Sequence, residues 1–417
     1  MTRFEVEVPD VDPLAWLAAQ PGPERLYWRG RDDKLRLAGL GLIQPTEDEQ
    51  LTNLTELTDA VQSTGAHAIF AGRFDAARAP AEEWAPFGVT RAYVPVIDLV
   101  WADEMTRLGC NVPPGTPGRP TDDIATALEE LRPATDAAPV TRELRGGAPE
   151  MDEPWSDNVT RILAQIADGG LEKAVLARRA TYRDQPGLDP VEALRSLAQD
   201  QPQTFAFCLQ LRRDLAFIGA SPELLYRREG RAIQSEALAG TRPRGTDGAG
   251  DRQLADELLT SQKDLREHKV VRDHINARLS PLCRQLVAPP TPGLRRLKHV
   301  QHLCSEFRGT LADGVGDADL MAQLHPTPAV CGVPTEQARA EIGAREGFDR
   351  GLYGGPIGHV GPGGVDCAVA IRSGLLSGCE FFVFAGAGIV EGSNAAAEWD
   401  ETTSKMQAFS TLLGKPS

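Results

Sequence analysis

Residues 204–240, TFAFCLQLRRDLAFIGASPELLYRREGRAIQSEALAG, are the stretch that decides the fold class. Four runs in it are predicted to be strands, namely Thr204–Leu211, Leu215–Gly219, Glu223–Arg228 and Ala232–Ala237. Only three residues separate each run from the next, whereas parallel neighbours need a crossover of about a dozen residues or more. The stretch therefore favours an α+β fold with a large antiparallel sheet over a doubly wound parallel sheet.

Helical periodicity surrounds this region. A long amphipathic helix is predicted over Asp251–Leu286, a shorter one over Asn158–Asp168 that ends at two glycines, and a final one over Ala395–Leu413. Further strands are predicted at Leu294–Val300, His302–Gly309, Val365–Leu375 and Cys379–Phe384. Helices and grouped strands thus follow one another along most of the C-terminal half.

A change in composition divides the chain into two parts. Residues 111–152 contain PPGTPGRP and GGAP, which are typical of a surface connection. Residues 1–150 are therefore predicted to form an N-terminal lobe that completes the sheets, and residues 151–417 the larger C-terminal domain.

Charge and composition exclude several classes of protein. The 417 residues carry 44 Lys and Arg against 59 Asp and Glu, a net charge of −15, which argues against a nucleic-acid partner. The N-terminus has no export signal, and the longest apolar stretch, Phe381–Val390, is about half of a membrane span. The seven cysteines are scattered, without a CxxC pair. We expect a cytoplasmic protein without nucleic-acid or membrane partners.

Two helices offer carboxylates and one segment offers glycines. Glu398 and Glu401 share a face of the last helix, and Glu267 lies within the long helix; each is also ordinary on a solvated helix face. Carboxylates from two helices, together with an anionic ligand, make a plausible Mg²⁺ site. Residues 386–392 spell GxGxxxG, but no second strand follows, which argues against a dinucleotide oxidoreductase. Glycines there let backbone amides approach an anion.

Two further residues are candidates for acid–base chemistry. Lys173 is predicted at the entrance of a strand, where a lysine is usually solvated; acting as a base requires a lowered pKa. Glu223 begins a strand after a proline, where a carboxylate at the end of a turn is the ordinary interpretation.

Ten segments in one order resemble the chorismate-utilising enzymes, the superfamily of isochorismate, anthranilate and salicylate synthases. The resemblance is strong from about Trp155 to Leu413 and weaker over the N-terminal lobe. Each segment is a weak signal alone, but the ordered set is specific. The segments are LEKAVLARR, FIGASPELLYR, SEALAGTRPRG, SQKDLREH, LCSEFRGTL, LHPTPAVCG, GFDRGLYGGPIG, AVAIRSGLL, FAGAGIVEGS and AEWDET.

The resemblance implies a large two-lobed chorismate-binding fold of facing, mostly antiparallel sheets, with helices outside and the active site in the cleft between. It implies chorismate as the substrate and Mg²⁺ as the cofactor, bound by Glu267 and Glu401 with Glu398 behind them or on a metal-bound water. It also implies a set of residues that bind the substrate through side chains or backbone amides. These are Thr241, His325, Tyr353, Arg372, Gly386, Ala387, Gly388 and Lys405.

The lysine of the first segment distinguishes the members of the superfamily. This chain has Lys173 at the position where the water-using isochorismate and salicylate synthases have a lysine. The ammonia-using enzymes are not expected to have a lysine there. The resemblance thus implies an isochorismate synthase in which Lys173 activates water and Glu223 protonates the leaving hydroxyl. A salicylate synthase is the alternative. An anthranilate or aminodeoxyisochorismate synthase-type enzyme and a non-catalytic homologue fit the motifs less well.

The loop LHPTPAVCGVP, residues 324–334, favours the isochorismate synthase because it resembles the version found in those enzymes. Menaquinone biosynthesis is the first choice of pathway and siderophore biosynthesis the second. We expect a monomer or a weak homodimer.

Overall fold

The computed structural model describes residues 1–47, 54–112, 131–133, 155–183 and 187–409. Within these ranges the chain forms nineteen strands and nine α-helices. The strands are β1 Thr2–Val8, β2 Arg25–Arg29, β3 Leu35–Glu47, β4 Ala68–Gly72, β5 Thr90–Ala102, β6 Met105–Val112, β7 Lys173–Tyr182, β8 Phe205–Arg212, β9 Leu215–Ser221, β10 Leu224–Glu229, β11 Ala232–Pro243, β12 Cys283–Val287, β13 Gly293–Arg296, β14 Val300–Leu311, β15 Gly332–Val333, β16 Pro356–Gly361, β17 Gly364–Val369, β18 Ser373–Ser377 and β19 Glu380–Ile389. The helices are α1 Pro13–Ala19, α2 Leu54–Thr64, α3 Trp155–Ala167, α4 Pro190–Asp200, α5 Gly248–Thr260, α6 Gln262–Leu279, α7 Asp317–Leu324, α8 Thr335–Arg345 and α9 Ala395–Met406.

The strands form two arms that meet at β5. One arm runs β5-β3-β2-β8-β9-β18-β19-β7-β15, and the other runs β5-β4-β16-β17-β10-β11-β14. Strands β12 and β13 both pair with β14, while β6 and β1 extend the other half of β5. Every pair among the described strands is antiparallel, which confirms the predicted α+β class.

The N-terminal strands belong to both arms. Trp28 of β2 lies opposite Phe207 of β8, and Phe70 of β4 lies opposite Gly358 of β16. The predicted boundary at residue 150 stays a prediction, because most of the predicted connection lies outside the described residues; β6 ends at Val112.

The predicted helix over Asp251–Leu286 is wrong, because the structure has two helices and a strand there. Helix α5 ends at Thr260, and the side chain of Ser261 accepts a hydrogen bond from the amide of Asp264, which caps the start of α6. Helix α6 ends at Leu279, and β12 follows. The break at Ser261 does not interrupt the spacing of apolar residues along the chain. Helical periodicity alone therefore did not predict two separate helices.

The predicted strand over Val365–Leu375 is also divided. It becomes β17 and β18, separated by residues 370–372, where Arg372 has a φ of +51°. A positive φ is uncommon for a residue with a Cβ atom and ends the regular strand geometry. Strand β16 was not predicted, since its sequence PIGHVG carries three polar or glycine positions.

Helix α6 turns one face toward the sheet, and this face carries a candidate site residue. Val271, Ile275 and Leu279 are buried and lie four residues apart. Glu267 lies one turn before Val271 on the same face. The burial of the apolar residues therefore directs the Glu267 carboxylate inward. No helix in the described ranges is long and apolar enough to cross a bilayer.

A buried ion pair after α8 joins several parts of the fold. The Arg350 guanidinium donates to Glu346 at 2.7 Å, to the carbonyl of Val330 at 2.7 Å and to the carbonyl of Val175 at 2.8 Å. The amide of Ala177 donates to Glu346 at 2.7 Å. The pair thus holds β7 and the segment around Val330 in place.

Replacing Arg350 with Met should lower the free energy of unfolding by about 3–5 kcal/mol, because the Glu346 carboxylate and two carbonyl groups would lose their buried donor. Arg345→Met is the matched control, since Arg345 pairs with Glu341 at the same spacing but nearer the surface; we expect a loss of about 1 kcal/mol or less. Urea unfolding measures both, and equal losses would contradict this assignment.

Candidate active site

A cleft with about 690 Å³ of empty space, including the solvent at its open mouth, lies between the two arms of the sheet. Strands β7 and β19 form one wall, β11 and β14 the other, and helices α6 and α9 each contribute an acidic side chain. The lining residues are Val175, Pro222, Glu223, Leu238, Ala239, Gly240, Thr241, Glu267, His302, Ala329, Val330, Tyr353, Ile371, Arg372, Phe384, Ala385, Gly386, Gly388, Glu401 and Lys405. Most of the residues predicted from the sequence are therefore brought together in one place.

Lys173 is fully buried at the start of β7, directly behind the cleft wall. Its Nζ atom lies 3.0 Å from Oε1 of Glu267, which lines the cleft. Gly388 makes this approach possible, because a Cβ atom at that position would lie 2.4 Å from the same Oε1 atom and 2.9 Å from Cε of Lys173. Lys173, Glu267 and Gly388 thus form one tightly packed unit.

Glu223 is buried and lines the cleft. Burial raises the pKa of its carboxyl to about 7, and the charge of Glu236 adds to the rise, while the ammonium groups of Lys173 and Lys405 oppose it. A carboxyl group with this pKa holds a proton in part of the molecules near neutral pH. It can therefore donate that proton to a bound ligand.

Each candidate metal-binding carboxylate has a lysine partner. Besides the pair of Lys173 and Glu267, Lys263 donates to Glu398 at 2.6 Å and Lys405 donates to Glu401 at 2.6 Å. The Lys405 ammonium holds the pKa of Glu401 below its usual value despite burial. The cleft therefore combines carboxylates with nearby cations in spite of the net negative charge of the chain.

The donor set fits Mg²⁺ as a site of two protein carboxylates. Glu267 and Glu401 both line the cleft, whereas Glu398 does not. Mg²⁺ typically takes one or two protein carboxylates and completes its shell with water and an anionic ligand. Among the described residues no group of three His, Cys, Asp or Glu side chains is arranged to hold a metal without such a ligand.

The pairing of β19 with β7 decides which glycine-segment amides face the cleft. Gly386 and Gly388 lie opposite Ala177 and Val175, whose amides donate away from β19, to Glu346 and to Cys331. These positions are therefore non-hydrogen-bonded pairs, and the amides of both glycines point away from β7.

Ala387 lies between these two positions, opposite Leu176, so its amide faces β7. No described strand pairs with the other edge of β19 at these residues, where the Lys405 ammonium donates to the carbonyl of Gly386 at 2.9 Å. The amides of Gly386 and Gly388, but not that of Ala387, are therefore placed to receive an anion.

His302 lines the cleft, although it was not among the site residues predicted from the sequence. It lies opposite Thr241 in the β11–β14 pair, and its Nδ1 atom is 3.0 Å from the Thr241 hydroxyl. Burial, together with the charges of Arg372 and Lys405, lowers the pKa of His302 to about 3, so the ring is neutral. Its Nε2 atom is buried without a partner among the described residues. The residue directly precedes the segment LCSEFRGTL, which was the available signal.

His325 does not line the cleft, in contrast to the prediction. Its Nε2 atom lies 3.2 Å from the carbonyl of Phe74, which follows β4, and its ring meets the Phe74 ring edge-on. The same segment reaches the cleft through Ala329 and Val330 instead. His325 thus packs against the N-terminal lobe, and the apolar residues Ala329 and Val330 line the cleft in its place.

Tyr353 and Arg372 complete the site. The Tyr353 ring stacks on Phe384 with the ring centroids 5.2 Å apart, and burial raises its pKa, which keeps the hydroxyl protonated. Arg372 donates to the carbonyl of Lys405 at 3.2 Å. With Lys405, it gives this side of the cleft a positive character suited to a carboxylate.

Comparison with known proteins agrees with this architecture. The family model described as a chorismate binding enzyme matches residues 1–414. The isochorismate synthase MenF of Bacillus subtilis is 30% identical over 449 residues, with 99% of this chain and 93% of that protein covered. The chain belongs to the chorismate-binding enzyme family.

Two further relatives extend the comparison. The solved structure of MenF, the menaquinone-specific isochorismate synthase of Escherichia coli, matches with a TM-score of 0.85 at 26% identity, covering 99% of this chain and 94% of that one. A chloroplastic isochorismate synthase of Catharanthus roseus is 40% identical over 262 residues, which is 62% of this chain but 45% of the plant protein. The chain therefore spans under half the length of this plant relative.

Replacing Gly388 with Ala should separate Lys173 from Glu267, because the new Cβ atom would occupy the position of the Glu267 carboxylate. The end of that side chain can move, so we expect a folded protein in which the pair is longer than 4 Å, about the limit for an ion pair. Gly343→Ala is the control, since nothing lies within 4 Å of a Cβ atom there. Crystal structures of both variants measure the distance, and an unchanged pair in Gly388→Ala would contradict the prediction.

Proposed function

We propose that this protein is an isochorismate synthase that converts chorismate to isochorismate. The observation that carries the proposal is a buried carboxyl, Glu223, that lines the cleft, together with a buried lysine, Lys173, that lies behind the cleft wall and pairs with the cleft residue Glu267. The reaction adds water at C2 of the ring and removes the hydroxyl group from C4. It needs a base for the incoming water and an acid for the leaving hydroxyl, and the two buried groups supply one of each.

The chain's own residues would hold the substrate by its two carboxylates. The amides of Gly386 and Gly388 face the cleft beside Lys405, and Arg372 and Tyr353 lie next to them. The neutral ring of His302, whose Nε2 atom has no partner among the described residues, would contact a polar group of the ligand. Such fixed donors orient the ring before reaction and stabilise developing charge.

Lys173 would remove a proton from the water that attacks C2, and Glu223 would give a proton to the hydroxyl leaving C4. Because Lys173 pairs with Glu267, its ammonium must leave that carboxylate and lose its proton before it can act as a base. The water proton ends on Lys173 and the leaving group departs as water, so the two steps together conserve protons.

Mg²⁺ is the proposed cofactor, with Glu267 and Glu401 as the residues that would hold it and Glu398 behind them. When bound, the ion would supply positive charge for the ring carboxylate of chorismate. The residues fit this role because two carboxylates line the cleft beside the anion-binding amides.

Menaquinone biosynthesis is the pathway we propose, and the menaquinone-specific enzyme of E. coli with the same fold over nearly the whole chain supports it. A siderophore pathway is the second choice. The cytoplasmic location and the monomeric or weakly dimeric state stay predictions.

Purified protein incubated with chorismate and Mg²⁺ should form isochorismate as the only product by HPLC, and removal of the metal with EDTA should stop the reaction reversibly. Lys173→Gln should lower kcat at least about 100-fold, because the water loses its base. Lys269→Gln is the control, since Lys269 is exposed on α6 and paired with Asp273.

Other products would overturn the proposal in distinct ways. Salicylate and pyruvate formed directly would make the protein a salicylate synthase. Anthranilate formed only with ammonia would exclude water as the nucleophile, and near-normal turnover in Lys173→Gln would remove Lys173 as the base.

The pH dependence of kcat/KM should report the ionisation of Glu223. Because the raised pKa keeps the acid protonated below about pH 7 and ionised above it, kcat/KM should fall as the pH rises through that value. Residual activity of Glu223→Gln should lack this fall, since an amide does not ionise. A wild-type profile that is flat between about pH 6 and about pH 9 would contradict the role of Glu223.

A further inference from the structure

The turn between β2 and β3 of the N-terminal lobe reaches the segment that carries Glu223. Arg31 of this turn donates to the carbonyl of Pro222 at 2.8 Å, one residue before Glu223. The same guanidinium forms two hydrogen bonds with Glu236 of β11, at 2.7 and 2.5 Å. The side chains of Arg31 and Glu236 are only 15% and 5% exposed. A residue nearly two hundred positions away in the chain therefore fixes the backbone next to the cleft acid.

Two residues of the turn contact this short segment, and Arg31 is the first. Asp32, the next residue of the turn, accepts from Arg227 of β10 at 2.8 Å. On the other side of the segment, the carbonyl of Glu223 accepts from the amide of Val369 at 3.1 Å. The backbone between Pro222 and Arg227 is thus held from the N-terminal lobe on one side and from β17 on the other. The placement of the Glu223 backbone therefore depends on contacts from the turn as well as from β17.

Arg31, Glu236 and Glu223 also interact electrostatically. Glu236 is held by Arg31 and also by Arg295 of β13 at 2.6 Å. The groups that face Glu223 from the surrounding elements are Lys173 on β7, Lys405 on α9, Glu236 on β11 and Tyr353 after α8. Arg31 offsets the negative charge of Glu236 and so limits its effect on Glu223.

We propose that Arg31 is a positioning residue for Glu223, which it acts on through the Pro222 carbonyl and the Glu236 carboxylate, so that the N-terminal lobe sets the placement of the catalytic acid. The inference rests on the proposed function, in which Glu223 protonates the leaving hydroxyl. Arg31 does not line the cleft, so it acts on the acid and not on the substrate.

Arg31→Met tests the proposal by steady-state kinetics with chorismate. We expect kcat to fall roughly 30-fold, as for a displaced catalytic group, with KM changed less than about twofold because the carboxylate-binding residues are untouched. The fall of kcat/KM at alkaline pH should move to higher pH, since Glu236 loses one of its cations. Arg36→Met is the matched control, because Arg36 lies on the same hairpin and pairs with Asp12 and Asp33 instead; its kcat and pH profile should match the wild type.

A double variant separates placement from charge. Adding Glu236→Gln to Arg31→Met should return the alkaline fall to lower pH, because the charge near Glu223 is gone, but kcat should stay low because Pro222 still lacks its donor. If Arg31→Met does not fold, Arg31→Lys keeps the charge but lacks the planar guanidinium that reaches Pro222 and Glu236 together. Its kcat should fall while the alkaline fall stays at the wild-type pH.

Three results would overturn the proposal. The first is an Arg31 variant with wild-type kcat, the second is an equal loss in the Arg36 control, and the third is a loss that appears only in KM. Failure of the proposed function is distinguishable, because the wild-type protein itself would then form no isochorismate.

Discussion

The buried pair of Arg350 and Glu346 is the interaction on which the site depends. Its donors and acceptors reach the carbonyl of Val175 and the amide of Ala177 on β7, and the carbonyl of Val330 in the segment that lines the cleft. Both ions are almost completely buried, so the pair is tolerable only because hydrogen bonds to the backbone and between the two ions replace their lost hydration. The same contacts take up the Ala177 amide and the Val175 carbonyl on the edge of β7 that faces away from β19, and Gly386 and Gly388 lie opposite these two residues.

Burial shifts the pKa values of different cleft residues in opposite directions, raising that of Glu223 and lowering that of His302. Burial keeps Glu223 partly protonated and His302 neutral, because the charged forms lose their hydration. The carboxylates of Glu267 and Glu401 stay near cations instead, each with its own lysine. A chain with a net charge of −15 can therefore present a local positive site to an anionic substrate.

Local patterns predicted some elements well and others poorly. Short turns predicted the antiparallel strands from β8 to β11, and Lys173 begins β7 as expected, because turn lengths and apolar runs are local properties. The break at Ser261 was missed because a capping serine leaves the apolar pattern of the two helices in phase. Strand β16 was missed because its sequence has few of the residues that favour strands, and only pairing with β4 and β17 stabilises it.

Ordered motifs and periodicity, which depend on neighbouring residues, were enough to predict the fold class, the family resemblance and the chemical types of the site residues. Tertiary structure alone decided which of those groups meet. His302 lines the cleft, whereas His325 packs against Phe74. The register of β19 against β7 points the amide of Ala387 toward β7. Arg31 of the N-terminal lobe donates to the carbonyl of Pro222. Each of these outcomes depends on strand register or on packing between distant segments, which no local pattern specifies.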